Sequence, residues 1–168
     1  MNMIYDMIES PLGSILLAGE GDVLRFIGLP ESRHPITIPA DWSRDANAFA
    51  EAKRQFAAYF SGELIEFDLA TSAQGSEFQQ RVWKALRTIP YATTISYAEL
   101  ARRIGNPKAS RAVGLANGAN PLSIIVPCHR VIGANGSLTG YGGGLKAKQS
   151  LLDLERRHAP TERFALTS

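Results

Sequence analysis

The stretch "SYAELARRIGNPKASRAVGLANG", residues 96–118, contains two short helical patterns separated by a turn. A serine and a glutamate three residues apart open the first pattern, as in a capping box, which predicts a helix over Tyr97–Ile104. Gly105 ends that helix, and a second one is predicted over Ala109–Asn117. Two helices joined by a short turn that contains glycine are the pattern of a helix-turn-helix unit.

The second helix of this unit carries almost only small side chains between Arg111 and Gly118. A helix with a small-residue face brings its backbone close to a neighbour, which is another helix in a core or a narrow groove in DNA. Arg111 stands out on this helix. It fits a surface arginine lying over apolar atoms and equally a side chain inserted into a DNA groove.

Helices are predicted on both sides of this unit. "SEFQQRVWKALRTIP" begins with Ser76 and Gln79 at capping-box spacing and stops at Pro90. "LKAKQSLLDLERRH" has leucines at helical spacing and follows a glycine-rich loop. The part of the chain after residue 73 is therefore predicted to be mostly helical.

The first 73 residues have a different pattern. "MIYDMIES" and "GSILLAGEGDVLRFIGL" predict strands broken by turns at 11–13 and 19–22. "NAFAEAKRQFAAYFSGEL" predicts an amphipathic helix with Tyr59 on its apolar face, and "IEFDLATSAQG" a last short strand followed by a small, polar stretch. We therefore predict an α+β protein of two domains, residues 1–73 and 74–168.

The same two parts of the chain carry net charges of opposite sign. Residues 1–73 carry 5 Lys+Arg and 11 Asp+Glu, a net charge of −6. Residues 74–168 carry 13 Lys+Arg and 5 Asp+Glu, a net charge of +8. A basic half beside an acidic half favours a polyanion as partner of the basic half, although basic residues also serve simply as a solvated surface.

Cys128 is the only cysteine and lies in "IIVPCHRVIG", residues 124–133, where the apolar run is predicted to be a strand that holds the cysteine in place. One cysteine excludes an internal disulfide and a cysteine-rich zinc module, and without an export signal the chain is predicted to be cytoplasmic. A reactive thiol needs a base, and His129 follows it directly. Sequence neighbours on a strand point to opposite faces, so the Cys-His pair alone leaves both an inert buried thiol and a nucleophile open.

The combination of "ISYAELA", "GNPKASRAVG", "NP" and "PCHRV", in this order, resembles the O6-alkylguanine-DNA alkyltransferase family. The match runs from about Phe78 to Glu155, and residues 1–73 match more loosely. The resemblance implies a ribonuclease H-like N-terminal domain and a winged helix-turn-helix-like C-terminal domain. It implies repair of O6-alkylguanine and O4-alkylthymine in duplex DNA by irreversible, stoichiometric transfer of the alkyl group to Cys128.

The resemblance also assigns catalytic roles. His129 accepts the thiol proton through a water, Glu155 orients His129, and Asn120 braces the turn before the cysteine. Tyr97 crowds the DNA backbone and helps to protonate the leaving guanine. The corresponding DNA-binding residues lie in or next to the second helix, which enters the minor groove, with the arginine taking the place of the flipped base: Ser110, Arg111, Ala112, Gly114 and Tyr97.

The resemblance also implies a substrate pocket. Backbone carbonyls of Cys128 and Val131 would read the guanine amine, and the remaining pocket residues are Asn117, Lys148, Tyr141, Gly142 and Gly143. No cofactor and no metal are predicted, because the zinc-binding cysteines and histidines of vertebrate members are missing from this chain. No membrane segment is predicted either. The protein is expected to be a monomer, with cooperative assembly on DNA left open.

Three other functions compete with this one. A damage sensor of the same fold would bind alkylated DNA without reacting, but members of that group replace the cysteine. A cysteine hydrolase would need an oxyanion hole and would turn over. A plain transcription regulator would bind a specific sequence whether or not the DNA is damaged.

Overall fold

The computed structural model describes residues 2–32, 37–136, 138 and 144–160. The N-terminal part contains four strands and one helix: β1 Ile4–Ser10, β2 Gly13–Glu20, β3 Val23–Gly28, β4 Ser43–Arg44 and α1 Ala50–Phe60. The remainder contains four helices and two short strands: α2 Glu77–Leu86, β5 Ile95–Ser96, α3 Tyr97–Arg103, α4 Ser110–Gly118, β6 Val131–Ile132 and α5 Leu145–Arg157. This is the predicted α+β class, with a mixed sheet first and helices after it.

The N-terminal sheet has the order β3-β2-β1-β4. Its first three strands are antiparallel, and β4 pairs with β1 in parallel. The predicted breaks lie where expected: Gly13 and Gly21 take positive φ angles of 108° and 58° at the two turns. At the bulge in β2, a side chain on Gly19 would overlap the carbonyl oxygen of Val23, so the close approach of β3 requires glycine there.

The last strand predicted within 65–75 is wrong, and the fourth strand of the sheet, β4 at Ser43–Arg44, lies where no strand was predicted. In the former segment only Thr71 forms a β-bridge, to Leu24. The side-chain amide of Gln55 on α1 forms two hydrogen bonds with the backbone of Asp68. It donates to the carbonyl of Asp68 at 3.0 Å and accepts from its N–H at 2.8 Å. These groups are therefore not available to a strand ladder.

The helix-turn-helix unit forms as predicted, with ends shifted by one residue. Ser96 accepts a hydrogen bond from the backbone of Glu99, but the Glu99 carboxylate pairs with Arg102 and Arg103 and does not close the capping box. The predicted capping box at the start of α2 is complete. Gly105 ends the α3 region with a φ of 80°.

Helices α2, α3 and α4 pack on one another around fully buried apolar side chains, among them Val82, Leu86, Leu100 and Val113. Trp83 adds a directional contact, since its indole N–H donates to the carbonyl of Ala116 at 2.9 Å. This packing fixes α4 with one side in the core and the other in solvent, which determines where its small residues and Arg111 lie.

Asp6 joins three elements of the N-terminal part. From β1 it accepts from Arg44 on β4 at 3.0 Å and from Lys53 on α1 at 2.6 Å. Burial would raise its pKa, but the hydrogen bonds from Lys53, the Met7 backbone and Arg44 outweigh burial and lower it to about 2. The charged form is therefore the one that stabilises the fold.

We predict that Asp6→Asn lowers the free energy of unfolding at pH 7 by about 1–2 kcal/mol, because two charge-assisted hydrogen bonds weaken. A depressed carboxyl pKa stabilises above the unfolded value of about 3.9, and this contribution disappears as pH falls toward about 2. Urea unfolding at pH 7 and at acidic pH measures both effects. Asp22→Asn, at an exposed position, is the control and should show neither; an Asp6→Asn deficit that persists at the acid end would contradict the prediction.

Candidate active site

Cys128 does not lie on a strand, contrary to the prediction for its apolar run. The chain turns at Ile124, which takes a left-handed φ of 77°, and residues Cys128–Arg130 form one 3₁₀ turn. Pro127 has no N–H to give to a ladder, and its carbonyl accepts from Arg130 at 3.0 Å. The strand comes later, as β6, which pairs in parallel with β5.

The thiol of Cys128 is buried, with 3% of the residue exposed. The side-chain amide of Asn120 donates to its sulfur at 3.1 Å and to the carbonyl of Val126 at 2.8 Å. Burial raises the pKa of Cys128 to about 11, and the Asn120 hydrogen bond and the charge of Lys148 act against that rise. At neutral pH the resting thiol therefore keeps its proton, and a base has to accept it when the sulfur reacts.

Glu155, in α5, is fully buried and accepts five hydrogen bonds. Arg130 donates from Nε to Oε1 and from Nη2 to Oε2, both at 2.9 Å, and His129 Nε2 lies 2.7 Å from Oε2. The backbone N–H of Ala92 and the hydroxyl of Tyr59 complete the set at 3.0 and 2.6 Å. Burial alone would raise the pKa of Glu155, but His129 and Arg130 outweigh burial and hold it well below its usual range.

His129 is also fully buried, and burial lowers its pKa despite the opposing effect of Glu155. The neutral ring donates its Nε2 proton to the ionised carboxylate, so Nδ1 carries the free lone pair. Nδ1 has no hydrogen-bond partner within the described part of the chain. An oriented neutral imidazole with an unused basic nitrogen, one residue from a protonated thiol, is suited to accept the thiol proton.

The predicted pocket residues that the structure describes surround the same turn. Asn117 donates from its amide to the carbonyl of Cys128 at 3.3 Å, and Lys148 donates from Nζ to the carbonyl of Val131 at 2.6 Å. The carbonyl of Cys128 also accepts a hydrogen bond from the backbone N–H of Val131. Burial lowers the pKa of Lys148 to about 8, and its Nζ lies 5.9 Å from the centre of the Tyr97 ring. The other predicted pocket residues, Tyr141, Gly142 and Gly143, lie outside the described residues.

Four of the five predicted DNA-binding residues lie on α4, and the fifth, Tyr97, is the first residue of α3 and lies near Lys148. Arg111 and Ala112 are exposed, whereas Ser110 and Gly114 are half-buried. A side-chain carbon on Gly114 would lie 3.9 Å from the Tyr97 ring, so α3 and α4 approach closely there. Leu115, one turn after Arg111, is 74% exposed and was not singled out from the sequence.

Sequence reasoning missed three contributors to the buried carboxylate: Tyr59, Ala92 and Arg130. Tyr59 was predicted only as an apolar-face residue of α1. Arg130 had a signal, since a charged side chain inside the apolar stretch "IIVPCHRVI" requires a buried partner. Ala92 acts through its backbone in a left-handed conformation, φ 61°, which no residue type at that position indicates.

The described residues thus bring a buried thiol, an imidazole and a carboxylate into one turn and its neighbour, next to a helix that exposes Arg111. Residues of these types can serve as nucleophile, base and orienting group. Two family models match the chain: the ribonuclease-like domain of 6-O-methylguanine DNA methyltransferase over residues 3–73, and the DNA-binding domain of the same family over residues 77–157. The chain belongs to the 6-O-methylguanine DNA methyltransferase family, as the sequence resemblance predicted.

Similar proteins cover nearly the whole chain. A methylated-DNA–protein-cysteine methyltransferase of Methanosarcina acetivorans is 54% identical over 91% of this chain and 98% of its own length. A methylated-DNA–protein-cysteine methyltransferase of Mycolicibacterium paratuberculosis is 55% identical over 93% of this chain and 94% of its own length. The crystal structure of Mycobacterium tuberculosis OGT in complex with DNA superposes with a TM-score of 0.87 at 55% identity, covering 95% of this chain and 96% of that one.

Among the described residues, no three or more His, Cys, Asp and Glu side chains are grouped so that they could hold a metal ion. Among the helices of the same residues, none is long and apolar enough to cross a membrane.

We predict that Asn120→Ala raises the pKa of Cys128, because the thiolate loses the amide that donates to its sulfur. A rise of about one unit, or about 1.4 kcal/mol, would lower the thiolate fraction at neutral pH about tenfold. Ultraviolet absorbance of the thiolate across a pH titration measures the shift. Asn117→Ala is the matched control, since its amide contacts the carbonyl of Cys128 and not the sulfur; equal titrations of the two variants would refute the prediction.

Proposed function

We propose that this protein repairs DNA by transferring the alkyl group of O6-alkylguanine in duplex DNA to the sulfur of Cys128. The observation that carries the proposal is the buried thiol of Cys128, held by Asn120 and followed by the His129–Glu155 pair, in a chain of this family. Relatives at about 54% identity are named methylated-DNA–protein-cysteine methyltransferases. O4-alkylthymine is a second substrate by the same chemistry.

The proton of Cys128 passes to Nδ1 of His129, through one bridging water as the family resemblance implies. Glu155 stabilises the imidazolium that forms, since its carboxylate already contacts Nε2. The sulfur then forms a bond to the alkyl carbon while the bond from that carbon to O6 breaks. Guanine leaves with a proton supplied from the side of Tyr97, and a stable thioether remains. Because a thioether does not hydrolyse, each molecule reacts once.

DNA is proposed to lie against the outer side of α4, with the small residues Ser110, Ala112 and Gly114 admitting the minor groove. The net charge of +8 on residues 74–168 favours the phosphate backbone. Since Cys128 is only 3% exposed, the damaged base has to leave the stack to meet it. Arg111 is proposed to occupy the gap that the base leaves.

The pocket is proposed to consist of the carbonyls of Cys128 and Val131 with Asn117, Lys148 and residues 141–143. We further infer that the protein works in the cytoplasm, because a reducing compartment keeps its single thiol reduced. A monomer is proposed as its working form.

Cys128→Ser should keep DNA binding and lose alkyl transfer, because serine preserves the shape of the site without a sulfur nucleophile. Intact-mass spectrometry after mixing with an oligonucleotide duplex that contains O6-methylguanine gives the readout. The wild-type protein should gain one methyl group on Cys128, and the variant none. A damage sensor would bind without an adduct, and a hydrolase would turn over many substrate molecules; either result for the wild type would refute the proposal.

Arg111→Ala should slow transfer from duplex DNA far more than transfer from the free modified base. Extruding a base costs a few kcal/mol, so the loss on duplex should be about tenfold or more. Single-turnover rates on both substrates measure the difference. Arg157→Ala, an exposed cation on α5, is the control for loss of positive charge. Equal losses of Arg111→Ala on the two substrates would count against base extrusion by this side chain.

A further inference from the structure

Tyr59 of α1 reaches the active site from the other end of the chain. It is 1% exposed, and its hydroxyl donates to Oε2 of Glu155 at 2.6 Å. The same oxygen lies 2.7 Å from Nε2 of His129. We propose that Tyr59 is a positioning residue for alkyl transfer, which fixes Glu155 for His129 and limits the basicity of His129. The inference rests on the proposed function.

The hydroxyl of Tyr59 is held in a single direction. Its ring packs against the rings of Phe60 and Phe67, each with centroids 5.3 Å away, and against Tyr91 at 6.3 Å. Burial and the charge of Glu155 raise the pKa of Tyr59 well above its usual value, so the phenol keeps its proton. Tyr59 therefore acts toward the carboxylate as a hydrogen-bond donor only.

A donor on Oε2 affects His129 in two ways. Together with Nη2 of Arg130, which donates to the same oxygen at 2.9 Å, it restricts the direction from which the N–H of His129 can meet Oε2. It also withdraws negative charge from the oxygen that has to stabilise the imidazolium, which keeps His129 neutral to lower pH. The titratable and charged groups that face this pair come from several elements: Cys128 and Arg130 in the 3₁₀ turn, Lys148 in α5, Tyr59 in α1 and Tyr91 after α2.

Tyr91 provides a matched control. It is 3% exposed, it packs edge-on against Tyr59, and it lies near Glu155. Its hydroxyl is buried and has no hydrogen-bond partner among the residues that the structure describes. Tyr91→Phe and Tyr59→Phe thus each remove one buried hydroxyl from the same aromatic cluster, but only Tyr59→Phe removes a hydrogen bond to Glu155.

The test compares the two variants with the wild type as full-length chains. Single-turnover transfer is measured across pH, from an O6-methylguanine duplex and from the free modified base. Tyr59→Phe should lower the plateau rate about tenfold on both substrates, a factor equal to about 1.4 kcal/mol. The acid limb of its pH–rate profile should move to higher pH, because His129 becomes more basic and is protonated at higher pH. Tyr91→Phe should follow the wild-type profile.

The outcomes separate the two proposals. A wild type that forms no adduct overturns the proposed function. A wild type that reacts, with coincident profiles for Tyr59→Phe and Tyr91→Phe, overturns the role of Tyr59 alone.

A second variant covers the case in which Tyr59→Phe does not fold. Site-specific replacement of Tyr59 by a ring-fluorinated tyrosine keeps nearly the same size and makes the phenol a stronger donor. The acid limb should then move to lower pH, opposite to the shift for Tyr59→Phe. A purely structural role would leave the limb in place, so an unshifted profile for the fluorinated protein overturns the proposal.

Discussion

A carboxylate shut away from water must be neutralised and hydrogen-bonded by the protein itself, and Glu155 is in this position. Its five donors come from α1, the segment after α2, and the 3₁₀ turn that carries Cys128. Breaking a buried ion pair by removing one partner costs about 3–5 kcal/mol. The carboxylate therefore restricts where these segments can lie relative to α5, and the active-site turn is one of them.

The electrostatics of the site follow from the same burial. Arg130 already balances the charge of Glu155, so a second positive charge on His129 is unfavourable at rest, and burial lowers the pKa of His129. The thiol is likewise neutral at rest, because burial raises its pKa. In the proposed mechanism, the thiol of Cys128 and the imidazole of His129 are thus both uncharged at rest. Charge separates only when the sulfur meets an electrophile. Such an arrangement protects the thiol from adventitious reaction and relies on Asn120 to stabilise the charge when it develops.

The sequence predicted the elements that have local signals. Capping residues and the glycine at 105 located the start of α2 and both ends of α3, since they act on the backbone next to them. The end of α2 at Leu86 comes earlier than the predicted stop at Pro90. The strand at 65–75 failed because a distant side chain, Gln55, occupies its backbone. The strand assigned to the apolar run before Cys128 failed for a different reason: burial there comes from a turn at Ile124 and not from a ladder. The division at residue 73 stays a prediction.

The residues of the candidate site also differ in how far the sequence indicated them. Cys128, His129 and Glu155 were found through the family resemblance, and their chemistry was readable from residue type. The role of Tyr59 was not predicted, because 96 positions separate it from Glu155. An aromatic residue on an apolar helix face ordinarily indicates core packing. The role of Ala92 was not predicted either, because a backbone N–H has no residue-type signature. Contacts of this kind depend on tertiary placement, which a pattern along one segment does not contain.

Two asparagine side chains connect α4 to Cys128. Asn117, in the last turn of α4, holds the carbonyl of Cys128, and Asn120, just after α4, holds its sulfur. These hydrogen bonds hold the thiol in a buried position, out of reach of a base that remains stacked in DNA. The proposed transfer therefore requires the base to travel to the sulfur, and the energy for that movement has to come from binding along the exposed side of α4. Binding affinity and reaction rate should consequently depend on different surfaces of one rigid unit.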